Sequence, residues 1–199
     1  MTEAQKFINH VNAQISQENT DAISPGDINA LPDKEIPKLH PAFTALINPS
    51  RIHELSEETL CAMTQQQVEK WTPMFIKALS PEQIYCLPAT TFCMMRKEQI
   101  GSLTKAQMSS ILGSQLDPLT PEQLGWFTKR QIHALAPTSL SFLSKETVSA
   151  LFNKFSMVQF WRFSAHQVQP QSSPSYKVIM RSATLHVALK VKQALLFRG

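Results

Sequence analysis

Ser80-Pro81-Glu82-Gln83-Ile84-Tyr85-Cys86-Leu87 and Thr120-Pro121-Glu122-Gln123-Leu124-Gly125-Trp126-Phe127 are two copies of one eight-residue phrase. Ser or Thr supplies an N-cap acceptor, Pro fits the first helical position, and Glu in the first turn suits the helix dipole. Gln at the third position can close a capping box onto the N-cap backbone. The fourth and seventh helical positions are apolar, three residues apart and therefore on one face. Each phrase predicts a helix of about two turns.

The phrase spreads in both directions. Every eighth residue from Leu31 to Leu151 is apolar, including Met63, Trp71, Met95 and Phe127. The column three residues earlier runs from Ile28 to Val148 and is broken only by Thr44, beside Phe43. An N-cap column holds Ser24, Asn48, Ser56, Thr64, Thr72, Ser80, Thr104, Thr120, Thr128 and Ser144. One continuous helix cannot use this pattern. Eight residues overshoot two turns by about 80°, so the apolar stripe would wind around the rod. A strand fails too, because a spacing of three puts the paired residues on opposite faces. The expected fold class is all-α, a superhelical solenoid of short two-turn helices built from eight-residue repeats. The residue before the Leu column alternates between a mostly apolar set (Ala62, Ala78, Met94, Trp126, Phe142) and a more polar one (Lys38, Glu54, Lys70). That alternation predicts sixteen-residue helix pairs as the stacking unit.

Three segments follow. Residues 1–22 read as an N-terminal capping helix, with Thr2 and Gln5 as a capping box and Phe7, Val11 and Ile15 as its stripe. Residues 23–168 form the octad array, slipped in register by the four residues Phe152-Asn153-Lys154-Phe155. Residues 169–199 comprise a Pro/Ser/Gln linker and a basic, apolar tail.

The net charge of +4 is unevenly spread. Lys177, Arg181, Lys190, Lys192 and Arg198 lie in a stretch with no acid, and the remainder is near neutral. A near-neutral body makes nucleic acid an unexpected partner. Gly is scarce (5) beside Pro (13), which disfavours phosphate-cradling loops and suits many helix starts. The three cysteines form no CxxC pair and read as reduced, small core thiols; Cys86 and Cys93 fall in successive helices and could meet. The first sixteen residues lack a basic end followed by an apolar run, and no stretch approaches eighteen apolar residues. The default compartment is therefore the cytoplasm.

The units LSPEQIYCL and LTPEQLGWF resemble LSPEQIxxL and LTPEQIxxL tracts of large bacterial proteins. They are also similar to units of the superhelical mesothelin–stereocilin–otoancorin group. The resemblance covers roughly residues 23–168 and rests on capping and core positions. The animal group implies adhesion or matrix roles. The bacterial proteins include some from host-associated bacteria, which implies export and a host-directed effector role.

Chemistry-bearing groups are sparse. His10, His40, His53, His133, His166 and His186 show no metal-ligand spacing, and no nucleophile, Walker or dinucleotide motif occurs. No catalytic residue, cofactor or metal is expected. The expected function is a non-catalytic protein–protein interaction scaffold. Its candidate anchors are Trp161, Phe160 and Arg162 in the unfinished last unit, and Trp126 in the half-buried column. The alternative is a membrane-surface or lipid-binding module acting through Lys177, Arg181, Lys190, Lys192 and Arg198.

Overall fold

The structure is a computed structural model that describes residues 2–15, 23–160, 162, 163 and 167. Every regular element among them is helical. From Glu57 to Lys145 a helix begins every eight residues, including Gln65–Glu69, Pro73–Ala78, Pro81–Cys86, Lys105–Ser110 and Pro121–Trp126. Both apolar columns turn inward. From Ile28 to Leu151 every member is buried, Thr44 included, within one continuous core.

Local chemistry explains each start. Ser and Thr caps, as at Ser80, Thr104 and Thr120, accept a hydrogen bond from the backbone N–H three residues on. Pro73, Pro81, Pro121 and Pro137 occupy the first turn, where no intrahelical donor is lost. Helices such as Pro73–Ala78 and Pro81–Cys86 end in an extended residue of the Leu column, Leu79 and Leu87, which turns the chain towards the next cap, while others close one residue earlier, as at Ala62 and Lys70.

The helices from Asp33 to Glu54 are tighter. Asp33–Lys38, Phe43–Leu46 and Pro49–Glu54 are 3₁₀ turns. Pro37 removes an N–H inside the first of them. Pro32 and Ala42 offer no side-chain cap to the first and second. Asn48 caps the third through the nearer N–H of Ser50.

At the N-terminus, Glu3–Gln14 forms the expected helix and buries Ile8 and Val11. Only half of its capping box forms. Thr2 accepts from the Gln5 N–H, but the Gln5 amide turns to Asn9 Oδ1 at 3.1 Å. The helix is tied to the array by Asn12, whose Oδ1 accepts from the His40 N–H at 2.8 Å.

The sixteen-residue pair is not the packing unit. Helices touch the third helix onward, starting 24 residues away: Pro73–Ala78 packs on Lys97–Ser102, Pro81–Cys86 on Lys105–Ser110, and Pro121–Trp126 on Lys145–Leu151. The alternating column fails for the same reason. Ser102, in the polar set, is buried, whereas Phe142, in the apolar set, is 76% exposed.

Candidate interaction surface

The third helical position turns out to do more than cap its own helix. Gln83 Oε1 accepts from the Ser80 N–H at 2.8 Å, which completes the local box. Its Nε2 then donates to the carbonyls of Ile52 (3.2 Å) and Leu55 (2.7 Å), 31 and 28 residues back. Gln67, Gln99, Gln107 and Gln131 repeat this with identical offsets. Gln115 adds the Tyr85 carbonyl to Ile84 and Leu87. The acceptors lie at helix C-terminal ends. Carbonyls such as Ile52, Val68 and Ile76 already accept the backbone N–H three residues on and use their second lone pair here, whereas those of Leu55, Trp71 and Leu79 take the amide at the point where the helix has ended. A single buried amide thus satisfies an orphan donor at one helix start and a carbonyl left over at another's end. At Arg96 and Leu112, where the cap side chain cannot accept, the Gln half alone remains, with Oε1 at 2.7 Å from each N–H.

Positions without Gln find substitutes. Asn29 Oδ1 accepts from the Ser56 N–H and from Thr59 Oγ1, while its Nδ2 donates to the Glu54 carbonyl. Asp117 Oδ1 accepts from the Ser144 N–H. Pro88 at a cap has no N–H to satisfy. Ser139 Oγ donates to the Ile111 carbonyl at 2.6 Å.

The register slip receives its own device. Lys154, half-buried, donates its ammonium to the carbonyls of Leu124 (3.1 Å), Gly125 (2.6 Å) and Phe127 (2.6 Å). Leu124 and Phe127 are the carbonyls that a Gln at position 155 would have met. Burial lowers the pKa of this lysine from its usual value. Beyond the slip the offsets fall by four, to 27 and 24, as in Gln167 to Leu140 and Leu143.

This frame leaves the fifth helical position facing outward. His53, Cys61, Lys77, Tyr85, Cys93, Ser109 and His133 are exposed there, a mixture of imidazole, thiol, ammonium, phenol and hydroxyl groups. Shallow grooves cross neighbouring helices beside them. One of about 260 Å³ has Tyr85 (52% exposed) at its edge, and Pro81, Ser109, Leu112, Ala136 and Thr138 along it. A second, about 480 Å³, is lined by Asp33, Glu57, Glu58, Cys61, Ala62 and Cys86.

The structure distributes the expected anchors unevenly. Phe160 packs edge-on to Phe152, Phe155 and Phe163, with centroids 5.0, 5.9 and 5.9 Å away, so the ring is engaged internally. Trp126 is half-buried and packs on the core. Arg162 is exposed. Trp161, Lys177, Arg181, Lys190, Lys192 and Arg198 lie outside the described residues. The outward Tyr85 and Phe142 did not emerge as anchors from the sequence. The signal for Tyr85 was its column, which mixes charged, polar, small and aromatic residues and is therefore not core.

The thiols differ from expectation. Cys61 and Cys93 are exposed rather than core, and the pair brought together is Cys61 with Cys86. Cys61 Sγ lies 3.7 Å from the Cys86 carbonyl oxygen, while Cys93 Sγ contacts the Pro118 carbonyl at 3.8 Å. A hydrogen bond with Glu57, then burial, pushes the Cys86 thiol up to about 11. Burial, with Glu57 and Glu58 nearby, raises the Cys61 pKa as well. Among the described residues no group of three or more His, Cys, Asp or Glu side chains is gathered for a metal, and no helix is long and apolar enough to cross a membrane.

No protein-family model, curated protein or solved structure matches this chain.

Proposed function

We propose that the chain is a non-catalytic protein–protein interaction scaffold, its short helices wound as a superhelical solenoid of eight-residue units. Amide offsets of 28 and 31 residues, shared by six glutamines from Gln67 to Gln131, support the winding, because a repeated cross-link between successive layers imposes a similar rotation at those steps. The observation that carries the binding reading is the contrast between columns. Core positions repeat their chemistry and Gln recurs at the third position between Gln67 and Gln131, while the outward fifth position changes at nearly every unit. A uniform frame presenting a non-uniform face is what selective recognition of an extended partner needs. The resemblance to bacterial tracts extends the proposal to a host-directed effector acting after export.

The test is affinity capture with the full chain against a Tyr85→Ala/Phe142→Ala variant. Both side chains are exposed, so the far-ultraviolet circular dichroism spectrum should be unchanged while a captured protein is lost. Capture of no protein, together with turnover of a small molecule by the pure chain, would overturn the scaffold reading. The second reading, a membrane-surface or lipid-binding module, is favoured by the acid-free tail with Lys177, Arg181, Lys190, Lys192 and Arg198. Co-sedimentation with anionic vesicles should be lost in a chain ending at Pro170. Equal sedimentation of the two chains would exclude it.

A further inference from the structure

We infer that Cys61 and Cys86 form a reversible intramolecular disulfide that staples helix Glu57–Cys61 to helix Pro81–Cys86. The two helices are third neighbours in direct contact, and both cysteines line the same groove of about 480 Å³. The Cys61 side chain already reaches the Cys86 backbone, with Sγ 3.7 Å from its carbonyl oxygen. Glu57 lines the same groove beside both cysteines, so pairing requires the Cys86 side chain to turn from the carboxylate towards Cys61. Cys93 sits against Pro118 instead, which leaves it out of the pair.

The oxidant is a low-molecular-weight disulfide. The exposed Cys61 thiolate attacks one of its sulfurs, a protein–small-molecule disulfide forms, and the first small thiol leaves. The Cys86 thiolate then attacks Cys61 Sγ and expels the second. Two electrons pass from the pair to the oxidant, and the two protein thiol protons end on the two released thiols. Asp33, Glu57 and Glu58 line the groove; burial at Cys61 and the Glu57 contact at Cys86, with Glu58 nearby, hold both thiols largely protonated at neutral pH. Exchange is therefore slow, and faster in mildly alkaline buffer. The bond would close a chain loop across two layers, fixing that part of the array and the floor of its groove whichever partner the surface takes.

The experiment uses the full chain with oxidised glutathione at mildly alkaline pH, followed by alkylation, digestion and mass spectrometry. The expected product is a Cys61–Cys86 cross-linked peptide with Cys93 alkylated, reversed by a reducing thiol. The melting temperature should rise by roughly 5–10 °C on oxidation. Cys93→Ser should behave as the natural chain, which keeps the test independent of variants that alter the pair. A stable glutathione adduct on Cys61, a cross-link through Cys93, three unmodified thiols, or an unshifted melting temperature would each overturn the proposal.

Discussion

The helices from Glu57 to Leu151 and the turns between Asp33 and Glu54 bury the same two apolar columns, yet one stretch is α-helical and the other 3₁₀. Their third positions differ. Gln67, Gln83, Gln99, Gln107, Gln115 and Gln131 each join a cap to a layer below, whereas Glu35, Phe43 and Arg51 offer no such amide. Within the amide ladder the earlier stretch supplies only carbonyls: Ile36, Leu39, Ile52 and Leu55 receive amides from Gln67 and Gln83. Apolar spacing alone thus places the chain, and the polar third position fixes how each turn is held. Helix type needs a further contribution. Pro137–Ser141 is α-helical without a side-chain cap, and its third residue, Ser139, anchors it to Ile111.

The strongest way to break this contrast is Gln107→Leu. It strips a hydrogen-bond partner from the Thr104 N–H and from the Ile76 and Leu79 carbonyls, in a site that Gln107 itself leaves 1% exposed. Loss of roughly 4 kcal/mol in urea unfolding is expected, since the Thr104 N–H and the Leu79 carbonyl are left unpaired at about 1–3 kcal/mol each, while the Ile76 carbonyl keeps the Leu79 N–H. A loss below about 1 kcal/mol would mean that the cross-layer bonds contribute little.

Gln83→Glu sharpens the point by keeping the acceptor and removing the donor. An ionised carboxylate against the Ile52 and Leu55 carbonyls should destabilise by roughly 3 kcal/mol at neutral pH. The folded pKa of the new carboxyl is raised above its unfolded value. The penalty is therefore absent below the unfolded pKa, grows as pH climbs towards the folded one, and is complete above it. Urea titrations between about pH 4 and pH 7 should show this trend, and a flat difference would refute it.

Gly113→Ala tests the close approach of third-neighbour helices. A Cβ there would lie 2.7 Å from the Ser139 carbonyl oxygen and 3.0 Å from the Phe142 carbonyl carbon, both backbone atoms. The packing must open, and a cost of about 2 kcal/mol is expected by thermal melting. The smallest effect belongs to the cap itself. Thr104→Ala removes one acceptor from the Gln107 N–H and should cost about 1 kcal/mol.

Much of this frame was legible in the residues. The positions from Ile28 to Leu151 marked as apolar columns are the core, and the ten Ser, Thr and Asn caps accept the bonds their side chains advertise. The stacking order was not legible. It depends on the angle at each turn, and its polar links end on backbone carbonyls, which leave no mark in a residue pattern. The same silence hid the role of Lys154, whose three acceptors are all main-chain. Phe142 misled because its column looked apolar, while burial in a three-helix layer does not follow a two-helix alternation. Of the candidate surface, only its outward column could be foreseen, since identity there is unconstrained by packing.

The amide ladder has an evolutionary corollary. Every residue type carries a carbonyl, so the receiving end of each rung places no demand on side-chain identity. A rung survives any change at its acceptor that preserves the backbone path. Outward positions can then drift or be selected freely, and a slip of four residues was absorbed by recruiting one lysine. Such a lattice decouples the persistence of its shape from the history of its surface.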